Sequence, residues 1–230
     1  MPTVLTSTVL IVTDDVSVRD SLNVLSGASG WATEMFGSAS EFFAQPTQSV
    51  PSCLVLDMEL PDADGLEIQQ LLADRPELPI VFVSSREDVR KAVRAIQQGA
   101  VEFLLKPPKA DLLYSAIELA FDRSRAALAR RMKTESLRTC YESLTKRERE
   151  VMALVVCGLL NKQSAAELGV SEITVKAHRG QMMRKMGARS LPNLVNMAAE
   201  LGLPLHTSKT FGLCERPADA SSAGVDDRSM

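Results

Sequence analysis

Residues 53–65 read CLVLDMELPDADG. Four apolar residues, Cys53 to Leu56, stop at Asp57 and give way to acids, a proline and a glycine. A short unbroken apolar run bounded by turn residues is the pattern of a strand buried on both faces. Similar runs occur on either side: Val9 to Val12 before Thr13-Asp14-Asp15, Ala32 to Phe36, Ile80 to Val83 before Ser84-Ser85, and Phe103 to Leu105 before Lys106. Between them lie stretches with helical spacing of apolar residues, Val18 to Leu25, Leu66 to Ala73, Val89 to Gln98 and Leu112 to Phe121. Strand alternating with helix in this way predicts a doubly wound α/β domain with five parallel strands.

The chain has 230 residues, enough for one large domain or two small ones. With 45% apolar and 24% charged residues it has the composition of an ordinary globular protein, which disfavours a wholly disordered chain, a collagen-like repeat or a disulfide scaffold. Its 26 Lys and Arg nearly balance 29 Asp and Glu, but the charges are not mixed evenly. Residues 1–121 carry a net charge of -9, whereas residues 122–143 carry +3 and residues 144–206 carry +4. An acidic first half and a basic second half point to two units with different partners, the second a candidate for nucleic acid. No apolar run is long enough for a bilayer and the first residues lack the features of a signal peptide, so no membrane association and a cytoplasmic location are expected. Cys53, Cys140, Cys157 and Cys214 lack the spacing of a zinc site and read as reduced structural residues.

Beyond residue 122 the strand pattern ends. Ser124 to Ser136, rich in Ala, Arg and Leu, reads as a helical linker able to continue the last helix of the first domain. Four helices follow. Thr145 with Glu148 makes a capping box for a helix closing near Gly158, Asn161 is placed to cap a short helix ending at Gly169, Ser171 caps a longer one ending at Gly187, and a fourth runs from about Pro192 to Leu201. The expected boundaries are 8–123 for the α/β domain, 124–139 for the linker, 140–205 for an all-α four-helix domain and 206–230 for a disordered tail.

In open parallel sheets ligands bind beyond the carboxyl ends of the strands. Here those ends bring together Asp14, Asp15, Asp57, Ser84 and Lys106. Singly, Asp14 or Asp15 reads as a helix cap, Ser84 as a turn residue and Lys106 as a solvated loop lysine. Their joint occurrence favours a site: hard carboxylate oxygens from Asp14 and Asp57 suit Mg²⁺, Lys106 neutralises phosphoryl charge, and Asp57 is the nucleophile of an acyl phosphate.

At the other end, residues 161–179, NKQSAAELGVSEITVKAHR, form a helix, a turn and a second helix, the arrangement that places a recognition helix in the major groove. Val175, Met182 and Met186 share a face and read as core. Lys176, Arg179 and Arg184, with Ala177 and Gly180 between them, leave an open basic face on which long cations reach phosphates or guanine edges.

Residues 8–123 resemble the receiver domains of two-component response regulators. The residues that carry the resemblance are the strand-end acids near Asp14, LVLDMELPDADG around Asp57, VFVSS at Ser84, and GAVEFLLKP ending in Lys106-Pro107. The resemblance implies a flavodoxin-like fold with Asp57 as phosphoacceptor, Mg²⁺ held by Asp14, Asp57 and the backbone carbonyl of Glu59, and a phosphoryl group contacted by Ser84 and Lys106. Phe103 takes the aromatic switch position, and the Lys106-Pro107 bond is expected to be cis. The chain departs from the pattern at Thr13, which stands where the first of two adjacent acids is usual. Either Asp15 compensates or metal-dependent phosphorylation is weakened.

Residues 140–205 resemble the LuxR-type helix-turn-helix of the NarL/FixJ class, on the strength of LTKREREVMALVVCG, NKQSAAELGVS, TVKAHR and KMGARSLPNLV. The implied DNA-binding residues are Lys162, Ser171, Thr174, Lys176, Ala177, His178, Arg179 and Arg184, although His178 also reads as a packed core residue. Ser164 replaces the branched apolar residue usual at its position, and Gly180 stands where some relatives carry a base-reading side chain. The implied partners are a sensor histidine kinase, double-stranded promoter DNA and, after phosphorylation, a second copy of the chain, with RNA polymerase a further candidate.

Three functions are compatible with these features. The first is a non-enzymatic DNA-binding transcriptional regulator switched by phosphorylation of Asp57. The second is the same regulator with a degenerate, phosphorylation-independent receiver, motivated by Thr13. A remote third is a Mg²⁺-dependent phosphohydrolase with Asp57 as nucleophile and Glu59 as general acid.

Overall fold

The computed structural model describes residues 7–45 and 49–204. The chain divides into two compact units, Met1–Lys133 and Thr134–Met230. The tail expected at 206–230, with Cys214, lies outside the described residues.

In the first unit five strands, β1 (Thr8–Val12), β2 (Ala32–Phe36), β3 (Ser52–Asp57), β4 (Ile80–Ser84) and β5 (Glu102–Leu105), form a parallel sheet in the order β2-β1-β3-β4-β5. The three central strands are buried at every residue, as their unbroken apolar runs require, while β2 and β5 at the edges alternate in exposure. Side-chain alternation splits the apolar residues between two faces. Leu10, Leu54, Leu56 and Phe82 pack with residues of α2 (Ala39–Phe43), α3 (Gly65–Leu71) and α4 (Val89–Gln97). Val9, Val55, Val81 and Val83 pack with Val18 and Leu22 of α1 (Val16–Ser29) and with Leu113, Ile117 and Phe121 of α5 (Ala110–Glu142). Each fully buried aliphatic or aromatic side chain contributes about 1.5–3 kcal/mol, so the sheet holds together through its faces.

One element was not foreseen in the sequence, and one goes as its linker reading allowed. The short helix α2, capped by Ser38, spans only five residues, too few to show a periodicity. The other concerns α5, which runs unbroken over Ala110–Glu142, so residues 124–139 are the continuation of a helix already begun. Their first part belongs with the α/β unit: buried Ser124 donates from its hydroxyl to the Glu77 carbonyl at 2.6 Å and accepts from the Ser52 amide at 3.0 Å, and Arg131 lies 3.2 Å from the Glu77 carboxylate.

The second unit contains α6 (Lys146–Val156), α7 (Asn161–Leu168), α8 (Glu172–Met186) and α9 (Leu191–Glu200). The Thr145–Glu148 capping box is formed as expected. Asn161 is not the cap of α7: Leu160 precedes the helix, and Gln163 accepts the Leu160 amide at 2.8 Å. Between α7 and α8, Gly169 ends α7 with φ of 63°, a left-handed conformation that glycine adopts without a Cβ penalty. Val151, Met152, Val155, Val175, Met182, Met186 and Leu194 form the core, so Val175, Met182 and Met186 face inward as their spacing predicts.

Candidate functional site

The carboxyl ends of β1, β3 and β5 meet around Asp57, the last residue of β3 and 0% exposed. A carboxylate so far from water requires donors. It has three: the Thr13 hydroxyl donates to Oδ2 at 2.7 Å, the Lys106 ammonium donates to the same oxygen, and the Glu59 amide donates to Oδ1 at 3.2 Å. Lys106 is nearly buried and follows β5, fixed by a backbone hydrogen bond of 2.9 Å to Ser84 and followed by a cis bond to Pro107. Its ammonium also stands 3.4 Å from Asp15 Oδ2.

The β1–α1 turn places the acids at different depths. Thr13, also 0% exposed, points inward, and its hydroxyl accepts the Asp15 amide at 3.1 Å while its carbonyl accepts Arg19 Nη2 at 2.7 Å. Asp14 is exposed, and its side chain has no hydrogen bond or ion pair among the described residues. Asp15 accepts the Ser17 hydroxyl at 2.6 Å and the Ser17 amide at 2.8 Å, so it caps α1. These Ser17 hydrogen bonds, with Lys106 beside them, hold the Asp15 carboxyl below its ordinary value. Among the described residues no three Asp, Glu, His or Cys side chains cluster as a metal cage would. Mg²⁺ keeps waters and commonly takes only one or two protein carboxylates, so the buried oxygens of Asp57 and the unpartnered Asp14 carboxylate suit it.

Ser84 is buried at the end of β4, but its hydroxyl exchanges two 3.1 Å hydrogen bonds with the Arg86 backbone and makes none to Asp57. Phe103 is half-buried and packs against the core on the α3–α4 side of the sheet. The Glu59 side chain is turned to Arg86 at 3.2 Å.

In the helical unit Lys162, Ser171, Lys176, Ala177 and Arg184 are exposed, while Thr174 and His178 are half-buried. Ser171 caps α8 through the Thr174 amide at 3.2 Å, and the two hydroxyls are 2.8 Å apart. Lys176 pairs with Glu172 one turn away at 3.3 Å. Arg179 corrects the expectation of a wholly open basic face: it is half-buried and donates to Asn161 Oδ1 at 2.9 Å, tying α8 to the start of α7. The open face therefore consists of Lys176, Ala177, Gly180 and Arg184, joined by Ile173, which is 79% exposed and was not singled out in the sequence.

Residues 9–118 match the response regulator receiver domain family, and residues 142–198 match the luxR family of bacterial regulatory proteins. The chain is 43% identical over 204 residues to nodulation protein W of Bradyrhizobium diazoefficiens, covering 88% of this chain and 90% of that one. The chain belongs to the two-component response regulators with a LuxR-type DNA-binding domain. It is likewise 39% identical to the response regulator protein TodT of Pseudomonas putida, over 85% of this chain and 86% of that one. The solved structure of the response regulator StyR matches with a TM-score of 0.72 and 40% identity, over 85% of this chain and 99% of that one. This response regulator is thus a transcriptional regulator and not an enzyme, which sets aside the phosphohydrolase reading. No helix among its described residues is long and apolar enough to cross a membrane.

Two features of the receiver escaped sequence reasoning. A Cβ at Gly65 would lie 2.9 Å from the Phe82 ring and 3.0 Å from the backbone of Asp57 and Met58, so only glycine lets α3 start this close to the phosphoacceptor strand. Asp64, just before it, caps α3 and is paired with Lys91 of α4 at 2.7 Å, which holds the loop after β3 in place. Their only signal was the acidic run ending in glycine, which read as a loop.

Proposed function

We propose that a sensor histidine kinase phosphorylates this regulator on Asp57, and that the phosphorylated form dimerises and binds promoter DNA through α8. The observation that carries this reading is the fully buried Asp57 carboxylate paired with Lys106 at the carboxyl end of β3. One Asp57 oxygen attacks the phosphorus of a kinase phosphohistidine; the O–P bond forms as the P–N bond breaks, and the released imidazole takes a proton. Lys106 then stands beside the new phosphoryl charge, and Ser84 turns from Arg86 to donate to it. Phe103, half-buried, moves into the space that Ser84 leaves. Asp57, Asp14 and the Glu59 carbonyl are the oxygens that would hold Mg²⁺, which supplies charge neutralisation when bound. Asp15 acts as a cap of α1 and second partner of Lys106 in preference to the metal.

A second copy has an apolar surface to meet. Val89, Val93 and Ile96 of α4 and Leu105 after it are exposed, and covering them would remove apolar surface from water. On the DNA side, Lys176 and Arg184 provide phosphate or guanine contacts, Lys162, Ser171 and Thr174 flank the groove, and Ala177 and Gly180 permit close approach. Arg179 and His178 support α8 from its half-buried side. A partner of the RNA polymerase class and a cytoplasmic location go with this reading.

The test is phosphorylation by acetyl phosphate, followed by DNA selection with the modified protein. Wild type is expected to gain one phosphoryl group and bind selected DNA more tightly, and Asp57→Asn to do neither. Thr13 favours a second reading, a degenerate receiver in a constitutive dimer, for which both proteins would bind DNA alike.

A further inference from the structure

Thr13 directly follows β1 and its hydroxyl donates to Asp57, a contact that gives it a role distinct from that of a missing acid. An ionised carboxylate offers about four lone-pair positions. On Asp57, Thr13 and Lys106 take both positions on Oδ2, and the Glu59 amide takes one on Oδ1. One position is left, on Oδ1; if the phosphoryl group is to have it, Mg²⁺ bound beforehand must draw on Oδ2, where both positions are filled. One protein donor must therefore leave. The Lys106 contact is charge-assisted and the stronger for it. The Glu59 amide is fixed by the chain two residues beyond Asp57. The Thr13 hydroxyl is neutral, and its proton can rotate away without any heavy atom moving.

We propose that Thr13 is a latch on the phosphoacceptor: its hydroxyl holds Asp57 Oδ2 in the resting regulator and must release it before the carboxylate takes up Mg²⁺ and a phosphoryl group. Thr13 is a positioning residue, since it acts through Asp57. This proposal rests on Asp57 being the phosphoacceptor. It differs from a mere loss of metal ligand in one consequence: removing the hydroxyl without adding a charge strengthens Mg²⁺ binding.

The experiment is a titration of the full-length protein with MgCl₂, followed by the Glu59 amide resonance in wild type, Thr13→Val, Thr13→Ser and Thr13→Asp. Valine keeps the shape and drops the donor, and its Mg²⁺ dissociation constant is expected to fall roughly two- to tenfold, the worth of one hydrogen bond. Serine keeps the donor and is expected to match wild type. Aspartate adds a carboxylate and tightens binding by roughly ten- to a hundredfold, as supporting ligands of metal sites do. If Thr13→Val binds Mg²⁺ no more tightly than wild type and Thr13→Ser, the latch is overturned. Should Thr13→Val not fold, the wild type decides. The buried Thr13 hydroxyl proton is expected as a protected resonance that disappears at saturating Mg²⁺, and its persistence there overturns the proposal. Mg²⁺ affinity is read without phosphate, so a failed latch is separable from a failed phosphoacceptor, which acetyl phosphate and Asp57→Asn test directly.

Discussion

At Gly65 a missing side chain sets the geometry of the phosphoacceptor loop. Adding a single methyl would press it against Phe82 and the backbone of Asp57, so Gly65→Ala is expected to destabilise the receiver by about 1–3 kcal/mol, measured by urea unfolding. Ser164 presents the opposite case. It is fully buried in α7, and its hydroxyl has no hydrogen-bond partner among the described residues. Ser164→Ala removes an unsatisfied polar group and is expected to stabilise the DNA-binding domain by about 1 kcal/mol, visible as a raised melting temperature. Glu148 supplies a pH dependence. The Lys185 ammonium, 2.7 Å away, holds its carboxyl below the ordinary glutamate value of 4.5, helped by the Thr145 amide. The folded domain thus resists protonation more than the unfolded chain does. The stabilisation is complete above the unfolded value and lost as pH falls through the lower folded one. Thermal unfolding of wild type followed from about pH 6 down to about pH 3 is expected to show this loss, and Glu148→Gln to show less of it.

Elements were readable in proportion to the length and regularity of their signals. The three central strands were evident because a run buried on both faces has no polar interruption, and α6 and α8 because Thr145 and Ser171 mark their starts. Helix α2 was missed because five residues carry no period. The start of α7 was misplaced because Asn161, a good cap by residue type, instead accepts a hydrogen bond from Arg179. That bond also took Arg179 from the open face, which a helical wheel cannot foresee since it depends on a neighbouring helix. Helix α8 is the element on which DNA recognition is expected to depend. If Lys176 meets a phosphate, Lys176→Ala weakens binding to all sequences alike and lowers the slope of log K against log salt by about 0.9. A loss confined to one base position would instead make Lys176 a base reader.

For the whole molecule, the charge division along the sequence anticipated two units with separate partners, an acidic receiver and a basic helix-turn-helix domain. What it could not fix was how far α5 extends, because a helix rich in Ala, Arg and Leu carries no mark of where one unit ends. Ser124 and Arg131 show their attachment only through Ser52 and Glu77, more than forty residues away in sequence. The strand-end residues were likewise foreseeable, whereas the inward turn of Thr13 and the outward turn of Asp14 required the turn itself. The central claim concerns Asp57. Wild type and Asp57→Asn should be treated with acetyl phosphate and Mg²⁺, with intact mass and light scattering followed together. A phosphoryl group and a shift from monomer to dimer in wild type alone is the predicted result. No phosphoryl gain in wild type, or equal gain in Asp57→Asn, would contradict it.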